Sequence, residues 1–428
     1  MTTDPTALLP FIAYQGSDLC VEQVPLQKLA SRFGTPLFVY SKAAMLTALD
    51  SYRRGLSGRN AKIFYAMKAN SSLALLQVFA EADCGFDIVS IGELHRVLAA
   101  GAPASRVIFS GVGKSRAEMA EALEHGVACF NLESAAELEV LNEVAVSCRR
   151  IAPISIRVNP NIDPKTHPYI STGLKGNKFG IAHEAVVDTY LRAASLPGVE
   201  VLGIDCHIGS QITMAEPYLE AMDRVLDLVE AVEAAGVHLR HIDFGGGLGI
   251  RYSTEQPPQA DSLWRQLLAK IDARGFSERE LMIEPGRSLV GNAGVCLTEV
   301  LYTKLSENKN FCIVDAAMND LPRPALYQAF HEIVPIQTHN GPEPRTYDVV
   351  GPVCESGDWI GRDRLLSVSA GDHLAVLSAG AYCMSMASNY NTRGRAAEVL
   401  VDGENFNLIR ERESAIDQMR NERLIKPV

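Results

Sequence analysis

The 428-residue chain has no long hydrophobic run, and a membrane-spanning helix needs about 18 consecutive apolar residues, so none is expected. Its first residues, MTTDPTALLPF, lack a positive segment followed by a long apolar stretch, so no signal peptide is expected either. Cysteine occurs nine times but never as a C-x-x-C pair. An odd, scattered set suits reduced thiols in a cytoplasm better than a disulfide framework or a structural zinc site. Histidine forms no H-E-x-x-H or comparable cluster, so no catalytic metal is expected. Positive charge is in deficit: 40 Lys and Arg stand against 51 Asp and Glu, a net −11. That argues against a nucleic-acid or anionic-membrane partner, though a small anion could still sit in a local positive pocket. Low-complexity segments and short repeats are missing too. What is left is an ordinary soluble composition, 47% hydrophobic and 21% charged, long enough for two domains.

What is there is an alternation. Between residues 62 and 285 run eight short β-branched or aromatic segments: KIFYA (62–66), FDIVS (86–90), RVIFS (106–110), ACFN (128–131), ISIRVN (154–159), VLGIDCHI (201–208), LRHIDF (239–244) and LMIEP (281–285). Between them lie stretches with the helical period, such as SLALLQVFAEAD, IGELHRVLAAG, KSRAEMAEALEHG, ESAAELEVLNEVAV and AMDRVLDLVEAVEAAG. Strands spaced by helices imply right-handed crossovers and a parallel sheet. Eight units over roughly 250 residues is the size of a closed (β/α)8 barrel. The rival, an open doubly wound sheet, usually carries a glycine fingerprint after its first strand; here that strand ends in MKANSS. After Gly291, short runs punctuated by Gly, Pro and Asn (VCLTEVLYTKL, FCIVDA, HEIVPI, TYDVVG, LLSVSAG, HLAVLSAG, AEVLVDG) predict an antiparallel all-β domain. The expected fold is therefore α/β: a barrel over 38–290, with residues 1–37 and 291–428 forming a C-terminal all-β domain.

Active sites of such barrels lie at the C-terminal ends of the strands. Lys68, in YAMKAN, falls just past the first strand; His207, in CHIGSQ, ends the sixth. Gly245, Gly246 and Gly247 follow the seventh, and Glu284, Pro285, Gly286 and Arg287 end the eighth. All four segments converge on one mouth. Alone, GGG reads equally as a tight strand-to-helix turn. After a seventh barrel strand, a phosphate cradle is favoured, because no Cβ keeps an anion from the backbone amides. Two look-alikes fail: GVGKS (111–115) lacks the first P-loop glycine, since position 108 is Ile, and GGGLGI has Ile250 where a dinucleotide fingerprint needs glycine. A lysine facing a phosphate cradle points to pyridoxal 5'-phosphate bound covalently through its aldehyde, and burial would favour the reactive neutral amine. Glu284 is a candidate to face the ring nitrogen. His207 could lie flat on the ring, or be a hydrogen-bonded core histidine; chemistry alone does not separate the two.

YAMKAN, HIGSQ, DFGGGLG, EPGR, GPVCESGD and GAY, in that order, resemble the fold-type III pyridoxal-phosphate decarboxylases. The resemblance runs from about Leu37 to about Ala397. It implies a homodimer with active sites at the subunit boundary. It implies that Lys68 carries the cofactor, His207 stacks on its ring and Glu284 meets its nitrogen. Ser210, Gly247, the amides of Gly286 and Arg287, and the Tyr382 hydroxyl would hold the phosphate, with Pro285 in the same loop. Cys354 and Glu355 would come from the partner subunit, Cys354 as proton donor. Arg287, Arg323, Tyr327, Glu355 and Tyr382 would bind the far end of the substrate. Asp87 and Arg157 fall in similar segments and are expected behind the residues that touch the cofactor. The other eight cysteines read as small buried hydrophobes.

The far end suggests which amino acid. Two guanidiniums, Arg287 and Arg323, match a distal carboxylate, and Glu355 matches an ammonium beside it. Meso-2,6-diaminopimelate has both, so its decarboxylation to L-lysine is the expected reaction. A site built on such contacts rejects analogues lacking them by roughly 10⁴-fold or more. The alternatives are a same-fold decarboxylase or racemase acting on ornithine, lysine or a carboxylated polyamine, a pyridoxal-phosphate carrier, and a metal-dependent barrel hydrolase.

Overall fold

Eight parallel strands close on themselves. In the computed structural model, which describes residues 9–163, 177–338 and 341–425, they are Ala61–Ala66, Gly85–Ile88, Val107–Phe109, Cys129–Leu132, Ala152–Asn159, Val199–Asp205, His241–Asp243 and Glu280–Ile283. Each pairs in parallel with its neighbour; Cys129–Leu132 joins Ala152–Asn159, and Glu280–Ile283 returns to Ala61–Ala66, completing the barrel. The eight sequence segments are these eight strands. The intervening helices begin where the sequence supplies caps. Ser90, Ser115 and Ser134 accept hydrogen bonds from the amides of Glu93, Glu118 and Glu137, and the Glu118 carboxylate accepts one from the Ser115 amide. Such caps satisfy amides that the first helical turn leaves open.

Side chains two apart on a strand share a face, and that period divides the barrel lumen into two chemistries. Inward positions lower on the strands are Phe64, Gly85, Ile108, Cys129, Ser155, Gly203, His241 and Met282, of which Phe64, Ile108, Cys129 and Met282 form an apolar cluster. The glycines are there for room: a Cβ on Gly85 would lie 2.4 Å from the Phe64 ring, and one on Gly203 would lie 2.2 Å from the His241 ring. Two positions further along each strand or its end come Ala66, Asp87, Ser110, Asn131, Arg157, Asp205, Asp243 and Glu284, all buried and all but Ala66 polar. The lumen is thus plugged by apolar groups below and floored by charge above.

The chain divides into two units: Leu46–Ile250 with Glu255–Leu289, and Met1–Met45 with Arg251–Thr254 and Val290–Val428. The division falls later than the sequence reading placed it. Phe38–Ser41, which the boundary at 38 put in the barrel segment, belong to a strand, Leu37–Ser41, that pairs with Gly294–Lys304 and Ala397–Asp402 in the second unit's sheet. Its residues Leu37 and Val39 join a core with Leu19, Val21, Val295, Leu297 and Val399. That sheet is mixed rather than antiparallel: Asn310–Val314 runs parallel to Arg345–Val350, and Leu37–Ser41 parallel to Ala397–Asp402. The unit is mainly β, with short helices at Leu26–Phe33, Arg323–Tyr327 and Ala415–Met419. Its strand Trp359–Leu366 lies ahead of the run LLSVSAG that was read for it.

Candidate active site

The polar floor is a row of charges set by strand register. Arg157, Asp205 and Asp243 pair laterally across three neighbouring strands. Glu284 follows on the next strand's end, and Lys68 on the one after, in a single 3-10 turn, Met67–Ala69, directly beyond Ala66. Asp87, opposite Ala66 on the next strand, closes the arc: its Oδ2 lies 2.5 Å from Lys68 Nζ. Sequence reasoning expected a desolvated amine here. The structure places an ion pair with a side chain 36% exposed, because strand register brings Asp87 up beside the turn. Asp87 therefore touches Lys68 directly. Arg157 donates to Glu133 Oε1 at 2.8 Å and to the His207 carbonyl at 3.2 Å, which fixes the His207 backbone.

Oxygens of Asp205, Asp243 and Glu284 all lie within 4.8 Å of one another. Three buried carboxylates that close cannot all be ionised at neutral pH. Burial pushes Asp205 up to about 7, opposed by the Arg157 guanidinium. Burial, and then Asp205, pushes Asp243 well above the usual range. Glu284 is raised by burial first, then by Asp87, Asp243 and Asp205. The floor therefore shares protons. His207 goes the other way: burial and the nearby cations Arg157 and Lys68 hold its pKa well below the usual value, so its ring is neutral. The Gly246 amide donates to its Nδ1 at 3.2 Å, which leaves the ring hydrogen on Nε2.

The glycine turns bring distant loops into contact. A Cβ on Gly246 would lie 2.1 Å from the Glu284 carbonyl oxygen. Gly247 has φ +101°, and its Cβ would lie 2.2 Å from the Gly209 carbonyl oxygen. No larger residue fits either position without moving backbone. Ser210 and Arg287, 77 residues apart, meet: Arg287 Nη2 and Nε donate to Ser210 Oγ at 3.0 and 3.3 Å. The Pro285 carbonyl accepts from the Ala66 amide at 3.1 Å, and a Cβ on Gly286 would lie 3.0 Å from the Ala66 carbonyl oxygen. Lys68, His207, Ser210, Gly247, Glu284, Pro285, Gly286 and Arg287 thus share the barrel mouth.

The remaining predicted residues belong to the mainly-β unit. Cys354 is exposed in an irregular loop, its amide donating to Asn391 Oδ1 at 3.1 Å. Asp358 anchors that loop, accepting from the amides of Val353 and Met318, each at 2.7 Å. Glu355 is exposed and accepts from the Tyr390 hydroxyl. Arg323 and Tyr327 begin and end one short helix; Arg323 is buried and Tyr327 half-buried. Tyr382 takes a left-handed backbone conformation, φ +56°, uncommon for a non-glycine residue. Of the other eight cysteines seven are buried, but Cys148 is half-buried at the end of helix Ala135–Ser147, a correction to the sequence reading.

Sequence reasoning missed Asp205, Asp243 and Asn131. The first two were detectable: each ends an apolar strand run (LGID, HID), where a charge has no place unless it serves a site. Asn131, whose Nδ2 lies 3.2 Å from both Ser110 Oγ and Glu284 Oε1, carries no such signal.

The donor set fits pyridoxal phosphate. It offers an amine at Lys68 for the aldehyde and a buried acid, Glu284, for a protonated ring nitrogen. Beside Glu284, Asp205 Oδ1 and Asp243 Oδ2 accept no hydrogen bond among the described residues. Barrel and mouth together define a pyridoxal-phosphate enzyme. The chain belongs to the pyridoxal-dependent decarboxylase family: the family's pyridoxal binding domain matches residues 43–291, and its cofactor is pyridoxal phosphate. The diaminopimelate decarboxylase of Pseudomonas aeruginosa is 52% identical, covering 96% of this chain and 99% of its own. The crystal structure of diaminopimelate decarboxylase from Helicobacter pylori complexed with L-lysine superposes with TM-score 0.89 at 40% identity, covering 93% of this chain and 99% of that one. The one from M. jannaschii in co-complex with L-lysine gives 0.92 at 35%, covering 97% and 98%.

Proposed function

We propose that this protein decarboxylates meso-2,6-diaminopimelate to L-lysine and carbon dioxide, a lysine-forming biosynthetic step. The observation that carries the reading is Lys68 held by Asp87 at the rim of a buried, proton-sharing carboxylate floor that ends in Glu284. When bound, pyridoxal phosphate supplies the electron sink for the pair released as the carboxylate departs. Lys68 would hold the cofactor through its side-chain amine. Glu284 would hold the ring nitrogen, and neutral His207 would hold the ring itself. Ser210, Gly247, Gly286, Arg287 and Tyr382 bind the phosphate. Arg287, Arg323 and Tyr327 grip the substrate's far carboxylate, and Glu355 its far ammonium. The Cys354 thiol gives its proton to the carbon that has lost carbon dioxide.

The protein acts as a homodimer in which Cys354 and Glu355 complete the site of the other subunit. Their exposure in one chain supports that arrangement. A cytoplasmic location fits nine free thiols; among the described residues no helix is long and apolar enough to cross a membrane. The test offers purified holoenzyme meso-diaminopimelate, L-lysine and L-ornithine and measures carbon dioxide. Release from diaminopimelate alone is expected. Release from lysine or ornithine at a comparable rate would reassign the substrate.

A further inference from the structure

Among the described residues, Arg323 is a buried cation with no anion beside it. The residue is 6% exposed, and no carboxylate pairs with it among the described residues. An uncompensated buried charge is costly, so something must hold it in place. Two neutral groups do. Nη1 lies 2.7 Å from His331 Nε2, and the guanidinium stacks 4.4 Å over the Tyr252 ring. His331 is fully buried, edge-on to Tyr252 at 5.2 Å. Its other nitrogen, Nδ1, lies 2.9 Å from the Leu377 carbonyl, which can only accept. The ring hydrogen is therefore on Nδ1, and Nε2 offers its lone pair to Arg323.

We infer that His331 is the positioning residue that sets this protein's preference for a carboxylate-bearing ligand: as a neutral acceptor it fixes Arg323 without neutralising it, leaving the charge for the ligand's far carboxylate. A carboxylate in its place would orient the guanidinium equally well and cancel the charge the ligand needs. Another cation there would expel it. A neutral imidazole, locked in one tautomer by a main-chain carbonyl, both fixes the guanidinium and leaves it charged. The inference rests on the proposed role of Arg323 as holder of that carboxylate.

The test compares two diamines on the holoenzyme, read from the visible absorbance of the bound cofactor. L-lysine can present an amine to the cofactor and a carboxylate to Arg323; 1,5-diaminopentane has the amines but no carboxylate. The readout is the ratio of their affinities. Arg323→Leu should cut the lysine advantage tenfold or more even with Arg287 intact; if it does not, the reading of Arg323 fails and takes this inference with it. His331→Leu should weaken lysine about tenfold, the worth of a hydrogen bond to a charged group, and leave 1,5-diaminopentane unchanged. His331→Glu should weaken lysine further, and His331→Gln, which keeps a neutral acceptor, should stay within about threefold of the parent. If Arg323→Leu behaves as expected while the Leu and Glu variants keep the parental ratio, His331 has only a structural role. Should His331→Leu not fold, the Glu and Gln pair decides alone, since both are polar and only Glu neutralises the guanidinium.

Discussion

The barrel mouth and the Arg323 pocket hold charge in opposite ways. In the mouth, Asp87, Asp205, Asp243 and Glu284 crowd together with Lys68 and Arg157. Like charges this close share protons, and burial pushes one of them, Asp205, up to about 7. Around Arg323 a single guanidinium meets an imidazole and a phenol ring, and among the described residues no carboxylate cancels it. The difference teaches what each arrangement is good for. A crowded acidic floor can match its protonation to a ring that gains and loses a proton. An isolated cation keeps its charge for a ligand's carboxylate.

The harshest way to break the comparison is to remove the amine from the mouth. Lys68→Ala should abolish the visible band of bound cofactor and all turnover; a retained band would take Lys68 out of its proposed role. Cys354→Ala tests the mainly-β unit. It should keep the cofactor band and lower kcat by roughly 10²–10⁴-fold, and unchanged kcat would remove the thiol from the reaction. Mixed with Lys68→Ala chains it should regain some activity, because one hybrid site then has both residues intact. No recovery after demonstrated subunit exchange would argue against shared sites.

A smaller effect tests the lumen below the charged floor. His241 is buried, and desolvation lowers its pKa to about 4. The unfolded chain takes up that proton near pH 6.5 and the folded chain does not, so stability falls as pH drops from 6.5 towards 4. The gap corresponds to about 3 kcal/mol. Acid denaturation of His241→Leu, followed by circular dichroism, should lack that part of the slope. The smallest effect sharpens the view of the floor itself. Asp87 raises the pKa of Asp205, Asp243 and Glu284 by its charge. Asp87→Asn should therefore move the pH titration of the bound cofactor's absorbance to lower pH; an unmoved midpoint would mean that the cofactor does not sense the floor.

Much of this was legible in the sequence. The eight barrel strands stood out because parallel strands, buried on both faces, read as short apolar runs between amphipathic helices. Lys68, His207, the glycine run and Glu284 could be brought together because strand order and the rule of C-terminal ends convert position into place. Trp359–Leu366 did not stand out, because WIGRDRLL is broken by charges that its exposed face tolerates. Leu37–Ser41 was not read as a strand at all, because a five-residue run buried on both faces carries no alternation that assigns it to one sheet or the other. Arg323 was visible as a residue, but its neutral partners were not: His331 is eight positions away and Tyr252 comes from another part of the chain.

By itself, then, the order of residues determined the barrel, the amine past its first strand and the glycines past its seventh, because periodicity and backbone freedom are local properties. The three-dimensional arrangement alone decided which charges are neighbours: that Asp205, Asp243 and Glu284 must share protons, and that Arg323 is held by a neutral imidazole. Those are distances of a few ångströms between residues eight to about eighty positions apart, and electrostatic energy depends on separation in space, not along the chain.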